Sequence, residues 1–187
     1  MQTAQRAEFV CVEDYLEGEK ASEVRHEYID GVVYAMAGST DDHNLIGGSI
    51  YAALRGHLRG KRCQPFFADM KVRMEFATHG IFYYPDVLVA CDSRDTAKDF
   101  RRYPQVIVEV LSETTERTDR REKFLYYTQI ETLQEYVLVA QDRLEATVFR
   151  RANKWVPEIV RKSEDQLQLP SLEFAMPLSA VYEGVKL

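Results

Sequence analysis

Two acids stand where charge is costly. The run IFYYPDVLVA carries Asp86 on the strand face it shares with Tyr84, Leu88 and Ala90, and QVIVEVLS carries Glu109 on the face of Ile107 and Leu111. Apolar residues flank both acids on both faces, the pattern of strands inside a covered sheet. An ionised carboxylate buried alone costs several kcal/mol or takes up a proton, so each acid must be paired, hydrogen-bonded or bound to a cation. Two of them on neighbouring strands point to a metal site.

The elements that must position these acids follow from the pattern. Phe9, Val12 and Leu16 predict a short helix over Phe9 to Glu19, ending near Gly18 and peripheral to the core. Asp30-Gly31 between two strand-like runs predicts a hairpin, because that pair tolerates the positive φ of a tight turn. Its first arm carries His26 and Glu27. Ser39-Thr40-Asp41-Asp42 supplies a cap and negative charge for a helix reaching about Arg59, with Ile46, Ile50, Ala53, Leu54 and Leu58 on one face. Gly47-Gly48 inside it predicts close approach of another backbone. CQPFFADMKVRMEF then reads as one strand, His79-Gly80 as a turn into the Asp86 strand, and Pro104 as the entry to the Glu109 strand. Thr114, Thr115 or Thr118 caps a helix bearing Phe124 and Tyr127 on its buried side. QEYVLVA is a further strand, LEATVFRR and KWVPEIVRK form a hairpin, and a short helix closes the chain after Pro177. The class is mixed α/β in one domain, residues 1–187.

The 187 residues suffice for a real core, and no run approaches the roughly 20 apolar residues of a membrane span. Cys11, Cys63 and Cys91 show neither a disulfide framework nor zinc-ligand spacing, and the N-terminus lacks the pattern of a secretory signal. The expectation is a soluble cytoplasmic protein. A net charge of −6 argues against a protein that coats nucleic acid electrostatically. It does not argue against a carboxylate-built nuclease. Basic residues cluster locally in RGHLRGKR (55–62), at Arg101 and Arg102, and at Arg117, Arg120, Arg121 and Lys123.

Taken in order, EYIDG, DDHNLIGGSIYAAL, YYPDVLVA, PQVIVEVLSETTERTDRREKFLYY and QEYVLV resemble the Uma-type restriction endonuclease family of the PD-(D/E)XK nuclease superfamily. The resemblance covers roughly residues 22–140. It implies a restriction endonuclease-like core: a central mixed sheet flanked by helices, here with an N-terminal β-hairpin and extra C-terminal strands. It implies that Asp86 and Glu109 bind metal. The superfamily places a lysine two residues after the glutamate, where this chain has Leu111, and the narrower family takes it from the next helix in the pattern Asp, Lys, Tyr. Here those are Asp119, Lys123 and Tyr126 or Tyr127. Where the family favours Trp and Asp in its last core strand, this chain has Val137 and Ala140.

The resemblance thus predicts a metal-dependent endonuclease acting on DNA as a homodimer. Mg²⁺ or Mn²⁺ is held by Asp86, Glu109 and the backbone carbonyl of Val110, a hard-oxygen set that suits either ion. Lys123 assists water or phosphate. Glu27 is a candidate third carboxylate, His43 a candidate site residue, and Lys71 the substitute basic residue should Lys123 point elsewhere. Leu111 and the acidic charge favour a second reading, a catalytically silent module of the same fold that binds nucleic acid or protein.

Overall fold

A computed structural model describes residues 9–36, 38–76, 79–112 and 116–187. Helix α1 (Val12–Ala21) starts at Cys11, whose Sγ accepts the Asp14 N–H, and runs through Gly18. Strands β1 (His26–Ile29) and β2 (Val32–Ala35) form the expected hairpin, with φ of 55° at Asp30 and 89° at Gly31. Helix α2 (Asp41–His57) is capped by Thr40, whose side chain accepts the His43 N–H. A Cβ on Gly47 would lie 2.9 Å from Phe67 Cε2, so a ring, not the expected backbone, presses on this helix.

Two runs read as single strands are each divided. CQPFFADMKVRMEF gives β3 (Gln64–Phe67) and β4 (Lys71–Phe76), while IFYYPDVLVA gives β5 (His79–Tyr83) and β6 (Val87–Ala90). Ala68 at φ 55° breaks the first and Pro85, which cannot donate to a ladder, breaks the second. Ala68 N–H donates to the Asp86 carbonyl (2.9 Å), tying the two breaks together. His79 and Gly80, expected as a turn, pair with Phe76 and Glu75 inside the β4–β5 hairpin.

Strands β7 (Phe100–Arg101) and β8 (Pro104–Leu111) follow, then a helix α3 (116–127) whose middle turn, Asp119–Lys123, is π-helical. Of the expected caps, Thr114 and Thr115 lie outside the described residues, and Thr118 is within the helix. Strands β9 (Glu135–Ala140), β10 (Ala146–Arg150) and β11 (Pro157–Val160) precede a small hairpin, β12 (Gln166–Leu169) and β13 (Phe174–Pro177), and the closing helix α4 (Leu178–Val181).

The strands make a five-stranded sheet, β2-β1-β5-β4-β7, and a six-stranded sheet, β11-β10-β9-β8-β6-β3. In the latter β8 is parallel to β9 and antiparallel to β6. Its two faces bury different sets. Val87, Val89, Val106, Val108 and Val110 pack with Ile46, Ile50 and Leu54 of α2 and with Leu178 and Val181 of α4. Leu88, Ile107, Leu111 and Leu138 pack with Val72, Met74, Ile81 and Tyr83 of the second sheet and Tyr127 of α3. The fold is mixed α/β, and one face of the central sheet is covered by a second sheet together with a helix.

One cysteine expectation is corrected. Cys63 and Cys91 are disulfide-bonded, leaving Cys11 free. They flank the register pair Gln64↔Ala90 of β3 and β6, which places them opposite each other across 28 residues of sequence.

Candidate active site

Glu109 points from β8 into the layer between the sheets, and α3 meets it there. The π turn buries both Asp119 and Lys123 on one side of the helix. Lys123 Nζ lies 3.0 Å from Glu27 Oε1, 3.1 Å from Asp119 Oδ1 and 3.3 Å from Glu109 Oε1. The side chains of Asp119, Glu109 and Lys123 are only 2%, 4% and 6% exposed, against 17% for Glu27. This is a desolvated cluster with one open rim. Tyr127 donates its hydroxyl to Glu109 Oε1 (3.1 Å), and Tyr136 donates to the Asp119 carbonyl (2.9 Å), securing the widened turn.

Asp86 occupies the bend between β5 and β6, with its side chain 22% exposed. β6 begins at Val87, opposite Val108, so the ladder has ended when β8 reaches Val110. The Asp86 carboxylate takes the place of the missing strand: Oδ2 accepts the Val110 N–H at 2.6 Å. The same oxygen is 3.4 Å from His43 Nε2, and His43 Nδ1 is 2.9 Å from Ser39 Oγ. Burial lowers the imidazole's proton affinity, but hydrogen bonding to Asp86, its charge and the Val110 backbone outweigh that and leave the pKa raised.

The acids outnumber the cations. Burial, with Asp119, Asp86 and Glu27 adding to it against Lys123, drives the Glu109 pKa well above the ordinary carboxylate value. Burial also opposes charge on Lys123, yet Glu109, Asp119 and Glu27 together raise its pKa well above that of a free lysine. One ammonium is shared among three carboxylates, so the lysine gains more than Glu109 does.

Among the described residues no three His, Cys, Asp or Glu side chains are spaced to hold a metal ion together. The chemistry of the donor set nevertheless fits a hard divalent cation. Three carboxylates share the one ammonium of Lys123, which leaves acid in excess, and the excess holds Glu109 toward its neutral form.

Of the residues singled out from sequence, Glu109, Lys123 and Glu27 meet directly, and Asp86, His43 and Val110 form an adjoining chain of contacts. Lys71 does not join them: its Nζ donates to the Tyr84 hydroxyl (3.1 Å) in a separate buried network. Leu111 packs in the core between the sheets.

The profile of the Uma2 family, described as "Putative restriction endonuclease", matches residues 12–179. This chain belongs to the Uma2 family. Among relatives of this Uma2 chain, the "Uncharacterized protein slr1290" of Synechocystis sp. is 33% identical over 92% of this chain and 91% of its own length. The "Uncharacterized protein sll1609" of the same organism is 30% identical over 68% of this chain and 73% of its own. A crystal structure titled as a putative nuclease belonging to DUF820, from Anabaena variabilis, superposes with a TM-score of 0.76 at 16% identity, covering 95% of this chain and 99% of that one. That likeness establishes the fold.

In the sequence of this Uma2 chain Asp119 and Tyr127 stand out only through the Asp, Lys, Tyr pattern, without a role in the site. Asp119 and Lys123, four apart, have an exposed ion pair as their ordinary reading, and nothing local marks the π turn that buries them. The pattern left Tyr126 and Tyr127 as alternatives; it is Tyr127 whose hydroxyl, needing a partner once buried, meets Glu109.

Proposed function

We propose that this protein is a nuclease hydrolysing phosphodiester bonds of DNA with the aid of Mg²⁺ or Mn²⁺. Asp86, Glu109 and the Val110 carbonyl are the groups that would hold the ion. When bound, a divalent ion neutralises phosphoryl charge and makes water a stronger nucleophile. The observation that carries the reading is the convergence of Glu27, Glu109 and Asp119 on the single ammonium of Lys123, beside an Asp86 fixed by the Val110 N–H.

The residues divide the remaining work. Lys123 keeps its proton beside three carboxylates, so it acts as a fixed positive charge toward a phosphoryl oxygen, not as a base. Tyr127 orients Glu109 by its hydrogen bond, and His43 steadies the Asp86 carboxylate. The test offers single-stranded, double-stranded and structured DNA with Mg²⁺ or Mn²⁺. Cleavage abolished by EDTA and by Asp86→Ala supports the reading; full activity in Glu109→Ala sinks it.

A second reading, a silent module binding nucleic acid or protein, is favoured by Leu111 at the superfamily's lysine position, buried in the core. Tight DNA binding without divalent-ion binding in calorimetry selects it. Cutting both strands of a duplex calls for two sites, so the nuclease reading carries a homodimer with it, checked by sedimentation equilibrium.

A further inference from the structure

A second buried polar network lies on the far face of β1. Glu19 of α1 is only 5% exposed. Its Oε1 is 2.7 Å from His26 Nδ1, and its Oε2 accepts the Tyr84 hydroxyl at 2.6 Å and the His26 N–H at 3.4 Å. Lys71, which has only donors, gives one to the Tyr84 oxygen (3.1 Å), so the phenolic proton is directed at Glu19. Tyr15, one helical turn before Glu19, donates to the His26 carbonyl at 2.7 Å.

Burial pushes the Glu19 carboxyl up, but the hydrogen bonds from Tyr84 and His26 more than offset it and hold the group below its usual value. The carboxylate is therefore charged, with both oxygens hydrogen-bonded. Its two partners are not arbitrary. His26 immediately precedes Glu27, and successive strand residues face opposite ways, so fixing His26 aims Glu27 at Lys123. Tyr84 is separated from Asp86 by Pro85 alone, whose locked φ leaves little slack between them.

We propose that Glu19 is a positioning residue of the candidate active site, one buried carboxylate that fixes the two backbone segments from which Glu27 and Asp86 project. Its significance for catalysis rests on the nuclease reading; its effect on Asp86 does not. The far end of the lever can be read without metal, because Asp86 accepts the Val110 N–H through its side chain and the Ala68 N–H through its carbonyl.

The experiment measures amide hydrogen exchange by NMR in metal-free wild type, Glu19→Ala, Glu19→Gln and Val181→Ala, the last a buried change in α4 on the opposite layer. Rates are scaled to the Val137 and Val139 amides in the middle of the six-stranded sheet. Val110 and Ala68 should exchange at least about tenfold faster in Glu19→Ala. Glu19→Gln, which keeps an acceptor for Tyr84, should recover most of the protection, and Val181→Ala should show no selective change. Unchanged Val110 and Ala68 protection in Glu19→Ala, or an equal selective loss in Val181→Ala, overturns the proposal.

Mn²⁺ titration of the same proteins, with Asp86→Ala added, separates this from the metal reading. Wild-type binding abolished by Asp86→Ala upholds that reading, and Glu19→Ala should then bind about tenfold more weakly. Wild-type affinity in Glu19→Ala overturns the positioning role. A wild type that binds no Mn²⁺ overturns the metal reading, and the exchange rates still decide for Glu19.

Discussion

Glu109 sets the charge balance of the cluster. Its pKa is raised, so the folded chain holds this proton at pH values where the unfolded chain has released it. Stability from this group therefore falls as pH rises from the ordinary glutamate value toward the raised one. Glutamine carries no such penalty. The melting temperature of Glu109→Gln relative to wild type should accordingly rise between pH 5 and pH 8, and parallel curves would count against a protonated Glu109. Lys123→Met removes the cation that Glu27, Glu109 and Asp119 share, at an expected cost of about 3–5 kcal/mol in urea denaturation. Saturating Mn²⁺ should return part of that loss if the oxygens hold an ion. Glu109 was legible in sequence because an acid amid Val, Ile and Leu must be compensated, and the structure buries it as that argument requires. Asp86 was found by the same argument for a partly different reason: it sits at a bend, more exposed than Glu109, and finishes a ladder that its own strand does not reach. Lys71 was a candidate only by nearness in sequence, and its face of β4 turns it to Tyr84 instead.

At the scale of elements, the hairpin at Asp30-Gly31, α2 and the order of β8, α3 and β9 were all readable, because each rests on local turn chemistry, capping or periodicity. The divisions of β3 from β4 and β5 from β6 were not. Both halves of each run have strand composition, and what separates them is the sheet they join, a tertiary choice marked in sequence only by Pro85. Helix α1 reads as peripheral because its hydrophobic face is narrow, while its contribution is the carboxylate of Glu19. The π turn of α3 is the least legible element. It adds a residue to the turn that buries Asp119 and Lys123, so deleting the exposed Arg121 should restore an ordinary α turn, with the pair three apart, and draw the Asp119 carbonyl away from the Tyr136 hydroxyl. Such a chain is expected to keep a cooperative thermal transition and to lose Mn²⁺ binding. Retention of wild-type binding would show that the turn's width is immaterial to the site.

For the whole molecule, the second sheet was beyond reach from sequence, since alternation within a strand does not say which sheet it enters. The disulfide was likewise hidden, because spacing along the chain is silent about the β3–β6 register. The cross-link closes a loop of 28 residues, for which chain entropy gives about 3.5 kcal/mol, and reduction by dithiothreitol should lower the urea midpoint accordingly. Coincident curves would mean that the folded chain gains nothing from the bond. Among the described residues no helix is long and apolar enough to cross a membrane. The chain passes between the two sheets at 68–70 and again at 84–86, and a hydrogen bond joins these passages. It crosses again at 102–103, where β7 of one sheet leads into β8 of the other. Asp86 lies at the second passage and Glu109 on the strand beside β6, whereas Glu27 belongs to the other sheet and meets Glu109 through Lys123. The three acids are therefore drawn from both sheets, and the rim exists only where one sheet is seated on the other.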